Sequence, residues 1–153
     1  MLKREINLRW FYPYSPEEIW DCITNPAILK QWSNLHRNAD FKAEVGFKWM
    51  EEQKPRRGWD GKMYFEVLEV IPVEKLKYSF KGGPHPGEVT LDTIVTWKLV
   101  SKNSGTEIHL SHTGFQGLKG VMTSFIMEKG WDKHFAKKLL NYLKQKKNER
   151  IAV

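Results

Sequence analysis

The sequence predicts an α+β fold in which one long antiparallel sheet curls around a C-terminal helix. Three observations predict it. Strand-like runs broken by turn signals fill residues 33–114. Helical spacing returns only at residues 120–147. Two short helix starts separate a first strand from the rest. A sheet with one apolar face must cover that face, and the last helix is the only element large enough to do it.

Residues 3–12, KREINLRWFY, alternate loosely and read as the first strand. The string YSPEEIW then marks a helix start. Ser15 is placed to cap, Pro16 fits the first helical position, and Glu18 completes a capping box. Tyr14 and Ile19 are spaced for a hydrophobic staple. This helix must be short, because Thr24-Asn25-Pro26 follows. Asn25 caps a second short helix, with Pro26 at its first position, running to about Trp32.

Six further strands are expected near residues 38–44, 46–53, 59–71, 75–82, 89–101 and 105–114, which makes seven in all. Gly46, Gly58, Gly61, Gly82-Gly83 and Gly105 punctuate them. Pro72 sits in a turn, since it cannot serve a central ladder. Lys102 to Gly105 reads as a tight hairpin loop, and sequential hairpins imply a meander. In the C-terminal helix, Met127, Trp131, Phe135, Leu139 and Leu143 recur every four residues. Gly130 inside that stripe calls for a bend or a close backbone approach. No repeat or linker composition divides the chain, so residues 1–153 read as a single domain.

His109 and His112 lie three residues apart in GTEIHLSHTGF (Gly105 to Phe115). On a strand an odd offset sends them to opposite faces, so they cannot share a metal. His109 faces outward. His112 ends the row Thr106, Ile108, Leu110 that faces the core. It either packs there, orients a ligand at a pocket mouth, or serves as an acid or base near its ordinary pKa of about 6.5.

Composition narrows the classes of function. Seven Trp, eight Phe and five Tyr supply large rigid rings of the kind that line cavities. The single cysteine, Cys22, excludes an intrachain disulfide and points to a reducing, cytoplasmic setting. It has no thiol partner for a metal, and neither the histidine spacings nor any phosphate loop, G-x-S-x-G elbow or dinucleotide fingerprint suggests a metal or cofactor. No signal peptide and no membrane span are expected. The formal charge is +7. Between Asp132 and Arg150, seven basic residues stand against two acidic ones. That is either a solvated helix face or a contact for an acidic partner. No recognition helix or stacking motif accompanies the lysines, so specific nucleic-acid binding is not expected.

Several strings, in this order, resemble a known family: SPEEIWDCITNP (Ser15 to Pro26), Trp32, GKMYFEVLEVIPVEKLKYSF (Gly61 to Phe80), IVTWKL (Ile94 to Leu99), GTEIHLSHTGF and Gly130-Trp131. They are similar to the helix-grip (START-like, birch-pollen-allergen-like, SRPBCC) superfamily. Within it they are similar to the family named after the activator of heat-shock protein 90 ATPase. The resemblance implies a helix-grip fold, with a seven-stranded sheet wrapped round the C-terminal helix and a cavity between them. It also implies a small-molecule binder, since relatives carry lipids, sterols or polyketides. A few relatives are cyclases or hydrolases, and the namesake is a co-chaperone.

The expected lining of that cavity comes from facing walls. Phe47 and Trp49 share one strand face, Tyr78 and Phe80 another, and Val95 and Trp97 a third, with His112 beside them. Met127, Trp131 and Phe135 come from the helix, and Trp32 from the second short helix. The reading that follows is a binding module for a small apolar ligand rather than an enzyme. A co-chaperone-like domain with a chaperone or other protein partner, and a cyclase or hydrolase using the same cavity, are the alternatives.

Overall fold

The computed structural model describes residues 2–152. Strand β1 (Lys3–Tyr12) is followed by helices α1 (Pro16–Thr24) and α2 (Pro26–Trp32). Then come β2 (Lys48–Glu52), β3 (Lys62–Ile71), β4 (Lys75–Gly82), β5 (Leu91–Lys102) and β6 (Gly105–Gln116). The chain ends in α3 (Gly117–Gly130), a π-helical segment (Trp131–Ala136) and α4 (Lys137–Ala152).

Both short helices start as the sequence dictates. The Ser15 hydroxyl accepts the Glu18 N–H at 3.2 Å. The Asn25 side chain accepts the Ala27 N–H at 3.0 Å, while its own N–H closes α1 on Asp21. Ile19 is fully buried, as a staple partner must be.

The sheet is antiparallel throughout, in the order β1-β6-β5-β4-β3-β2. It has six strands rather than the expected seven. The segment 38–44 is irregular and joins no ladder. Its alternation is real but serves a different end. Phe41, 1% exposed, drops its ring edge-on against Trp49 at 5.0 Å. The Asn38 N–H goes to the Glu51 carboxylate at 3.0 Å instead of to a neighbouring strand. Period-2 apolar spacing reports which residues face inward, and it does not require a partner strand.

One irregularity in the sheet shapes the interior. Opposite Arg4 and Ile6 of β1, strand β6 carries one extra residue between Phe115 and His112. Gly114 takes the bulge with φ of +105°. A Cβ there would stand 2.8 Å from the Asp92 carbonyl oxygen, so only glycine fits. The slip turns Phe115 inward, beside His112 at 4.6 Å between ring centroids.

The helix solves a second register problem. A stripe spaced every four residues drifts about 40° per step on an α-helix. The π segment widens the turn and takes up that drift. Trp131 and Phe135 thereby pack against each other at 4.5 Å with their rings tilted by 49°, both facing the sheet. Gly130 ends α3 at the start of this segment, and a Cβ on it would meet only the far end of His134, at 3.9 Å. The break in register, not a close approach, is what the structure shows there.

Candidate functional site

The register of the ladders lines up inward-facing side chains in rows. One row runs Val67, Tyr78, Val95, His112 and Ile6 across β3, β4, β5, β6 and β1. A second runs Trp49, Phe65, Phe80 and Thr93 across β2 to β5. A third sets Trp97 between Leu76 and Leu110. Each of these side chains is buried.

His112 sits where the rows meet the helix. Trp131 Nε1–H donates to His112 Nδ1 at 3.0 Å. The Thr93 hydroxyl donates to the Phe80 carbonyl at 2.7 Å, which spends its only hydrogen. The 2.8 Å contact between His112 Nε2 and Thr93 Oγ1 therefore has the imidazole as donor. The tautomer is fixed by its neighbours: Nε2 carries the proton and Nδ1 the lone pair. Burial holds the ring neutral, with its pKa pushed down to about 3. Of the three roles open to His112, the geometry displays the packed, hydrogen-bonded one.

Tyr78 and Trp97 form the second polar link. Trp97 Nε1–H donates to the Tyr78 hydroxyl at 3.0 Å. Tyr78 is 1% exposed, and burial raises its pKa well above the ordinary phenol value. Among the described residues no acceptor takes the hydroxyl's own hydrogen. Every buried side-chain polar atom of the described residues has at least one partner, the Tyr78 oxygen through Trp97.

The rings form two clusters joined at that link. On the helix side, Trp131 meets Trp97 at 5.6 Å, and Phe135 meets Trp97 at 5.9 Å and Trp32 at 5.8 Å. On the β2 side, Trp49 stacks on Phe65 at 4.6 Å and on Phe47 at 6.0 Å, and meets Tyr78 edge-on at 5.4 Å. Phe80 bridges them, 4.8 Å from Phe65 and 5.4 Å from His112. The structure thus gathers all the predicted lining residues around one interior, with Phe47 and Met127 half-buried at its margin.

Several members of this interior were not foreseen. Thr93 and Phe65 share the parity of Val95 and Val67, so strand alternation could have found them. His36 could not have been placed, because it lies in an irregular loop. Its ring is stacked on Trp49 at 5.4 Å and shares a hydrogen bond with Ser33 Oγ at 2.8 Å. Burial pushes its pKa down to about 3. Glu51 is buried beneath Asn38, which gives it both backbone and side-chain N–H groups.

The rings touch one another across the interior, and the clefts described lie elsewhere. One, of about 470 Å³, is lined by Lys30, Trp32, Arg37, Lys138, Tyr142 and Gln145, among others. The second, of about 340 Å³, runs along α4 past Cys22, Lys146, Lys147 and Arg150. Trp32 alone of the predicted lining borders either. The first has three basic side chains and no carboxylate, whereas the second sets Glu18 and Asp21 beside its three basic ones. His109 faces outward as expected and contacts Glu107 at 2.7 Å. The His109 and Lys102 hydrogen bonds hold that carboxyl below its ordinary pKa. Among the described residues no three His, Cys, Asp or Glu side chains are grouped to hold a metal, and no helix is long and apolar enough to cross a membrane.

A family model described as "Activator of Hsp90 ATPase homolog 1-like protein" matches residues 13–144. No curated protein matches the sequence. Among solved structures, protein MLL2253 from Mesorhizobium loti is 26% identical with a TM-score of 0.77, covering 93% of this chain and 98% of its own. The AHSA1 protein from Silicibacter pomeroyi is 19% identical with a TM-score of 0.72, covering 94% and 99%. CalU16 from Micromonospora echinospora shares the fold at 20% identity and a TM-score of 0.63, covering 94% and 75%.

Proposed function

Because this chain belongs to the Activator of Hsp90 ATPase homolog 1-like family, we propose that it is a binding module for a small, largely apolar ligand. The ligand is aromatic, polyketide-like or lipid-like and is held between the sheet and the C-terminal helix. The predicted lining serves as its wall: Phe47, Trp49, Tyr78, Phe80, Val95, Trp97, His112, Met127, Trp131, Phe135 and Trp32. The observation that carries this reading is the Tyr78 hydroxyl. It lies in an aromatic interior with one hydrogen unspent, and a ligand acceptor such as a carbonyl would take it. Apolar walls with one or two convergent polar groups are what small-molecule sites need. The rings now touch, so binding requires them to part, and the affinity reflects that cost.

His112 supports binding rather than turnover. Both its nitrogens are engaged in fixed bonds, and a neutral ring with a pKa near 3 is a poor proton carrier at neutral pH. A co-chaperone-like role has one observation in its favour, the basic cleft of Lys30, Arg37 and Lys138, which would suit an acidic protein segment. A cytoplasmic setting fits either role.

The test is a screen of planar aromatic ketones by tryptophan fluorescence, with product analysis alongside. Saturable quenching without turnover is expected. Tyr78→Phe should weaken such ligands by about 0.5–1.5 kcal/mol, roughly two- to tenfold. A broad screen without a saturable binder, or ligands indifferent to Tyr78→Phe, would overturn the reading.

A further inference from the structure

Helix α3 is built inside out. Four of its large apolar residues, Leu118, Met122, Phe125 and Ile126, are 66%, 59%, 52% and 64% exposed, and only Met127 packs against the core. Separated by four, three and one residues, they fall within about 100° of the helix circumference and so share one face. Apart from Met127, the centre of the face turned to β1 and β6 is polar. Ser124 is fully buried there, accepting from Arg4 at 3.2 Å and donating to the Val121 carbonyl at 2.6 Å. Leu2, 58% exposed, extends the patch, because its carbonyl accepts the Gly117 N–H at the start of the same helix. An outward stripe of this kind lowers no folding free energy by itself, so it calls for something that covers it.

The charges around it say what. Lys119 and Lys129 lie on α3, and Lys133 follows in the next turn. The only α3 carboxylate, Glu128, is neutralised by Arg4 at 3.0 Å. A second copy of the chain, also at +7, would bring the same lysines face to face. A planar anionic lipid surface meets both halves of the pattern. The apolar stripe enters the acyl boundary, and lysine stems reach back to the phosphates. We propose that the outer face of α3 docks this protein on anionic phospholipid membranes, lying on them without crossing.

The experiment is co-sedimentation of the full chain with vesicles of phosphatidylcholine, or of phosphatidylcholine mixed with phosphatidylglycerol. Binding to the mixed vesicles should exceed binding to the neutral ones by about tenfold or more and fall with salt. Met122→Asp with Ile126→Asp should abolish it while thermal stability stays unchanged, since neither side chain packs in the core. Lys119→Gln and Lys129→Gln should each weaken it about fivefold. Three outcomes would overturn the proposal. The first is equal affinity for the two vesicle types. The second is undiminished binding by the Asp variant. The third is a dimer in buffer that this variant makes monomeric, which would give the face to a second copy.

Discussion

Trp131 gives its indole hydrogen to His112 across 3.0 Å, and this bond ties the C-terminal helix to the centre of the sheet. Trp131→Phe keeps most of the ring but leaves a buried lone pair on Nδ1. It should cost about 1–3 kcal/mol. Trp131→Ala adds a cavity and should cost about 3–5 kcal/mol. Urea unfolding measures both. A Phe variant as stable as wild type would mean that the bond contributes nothing.

Stability should fall as pH falls below neutrality. His112 and His36 have folded pKa values near 3, against an ordinary 6.5. The unfolded chain therefore binds more protons through that range, and acid favours unfolding. The contribution is fully present above pH 6.5 and is lost as pH falls toward 3. Each histidine contributes a slope of up to about 1.4 kcal/mol per pH unit. Melting curves from pH 7 to 4, with His112→Leu for comparison, should show a shallower decline in the variant. Parallel declines would place the acid sensitivity elsewhere.

Thr93 and His112 should be energetically coupled. Thr93→Val removes the acceptor for Nε2–H and the donor to the Phe80 carbonyl. Once His112→Leu has been made, the first of these losses no longer matters. A double-mutant cycle should therefore return a coupling of about 0.5–3 kcal/mol. Strict additivity would mean that the contact between Thr93 and His112 contributes nothing to stability.

Gly114→Ala should destabilise by more than about 1 kcal/mol, through its positive φ and the close Asp92 carbonyl. The bulge would relax and draw Phe115 from beside His112. A drop in melting temperature with altered tryptophan emission is the expected result. A neutral variant would show that the bulge is plastic.

Most of the inward face was legible because strands have a period of two. Trp49, Tyr78, Trp97 and His112 all fall on the side their parity assigns. What parity could not show is where it breaks. Phe115 lies on the wrong parity and is buried only because Gly114 inserts a residue. Phe41 follows the right alternation in a segment that is no strand. The π turn was half visible: a four-residue stripe sustained from Met127 to Leu143 cannot stay on one side of a plain α-helix. The inside-out α3 escaped the stripe argument, because spacing locates a face without saying which way it points. The contacts between rings from facing walls escaped it too, since they depend on the curvature of the sheet.

Cys22 offers a clock for this architecture. It is the only thiol, 4% exposed beneath α4, and burial pushes its pKa up to about 12. Folded, it presents almost no thiolate to a reagent; released, it returns to the reactivity of an ordinary cysteine. Its labelling rate at neutral pH therefore counts how often the grip of α4 on the short helices loosens. A single unmodified sulfur thus reports breathing of the fold on a timescale that no melting curve resolves.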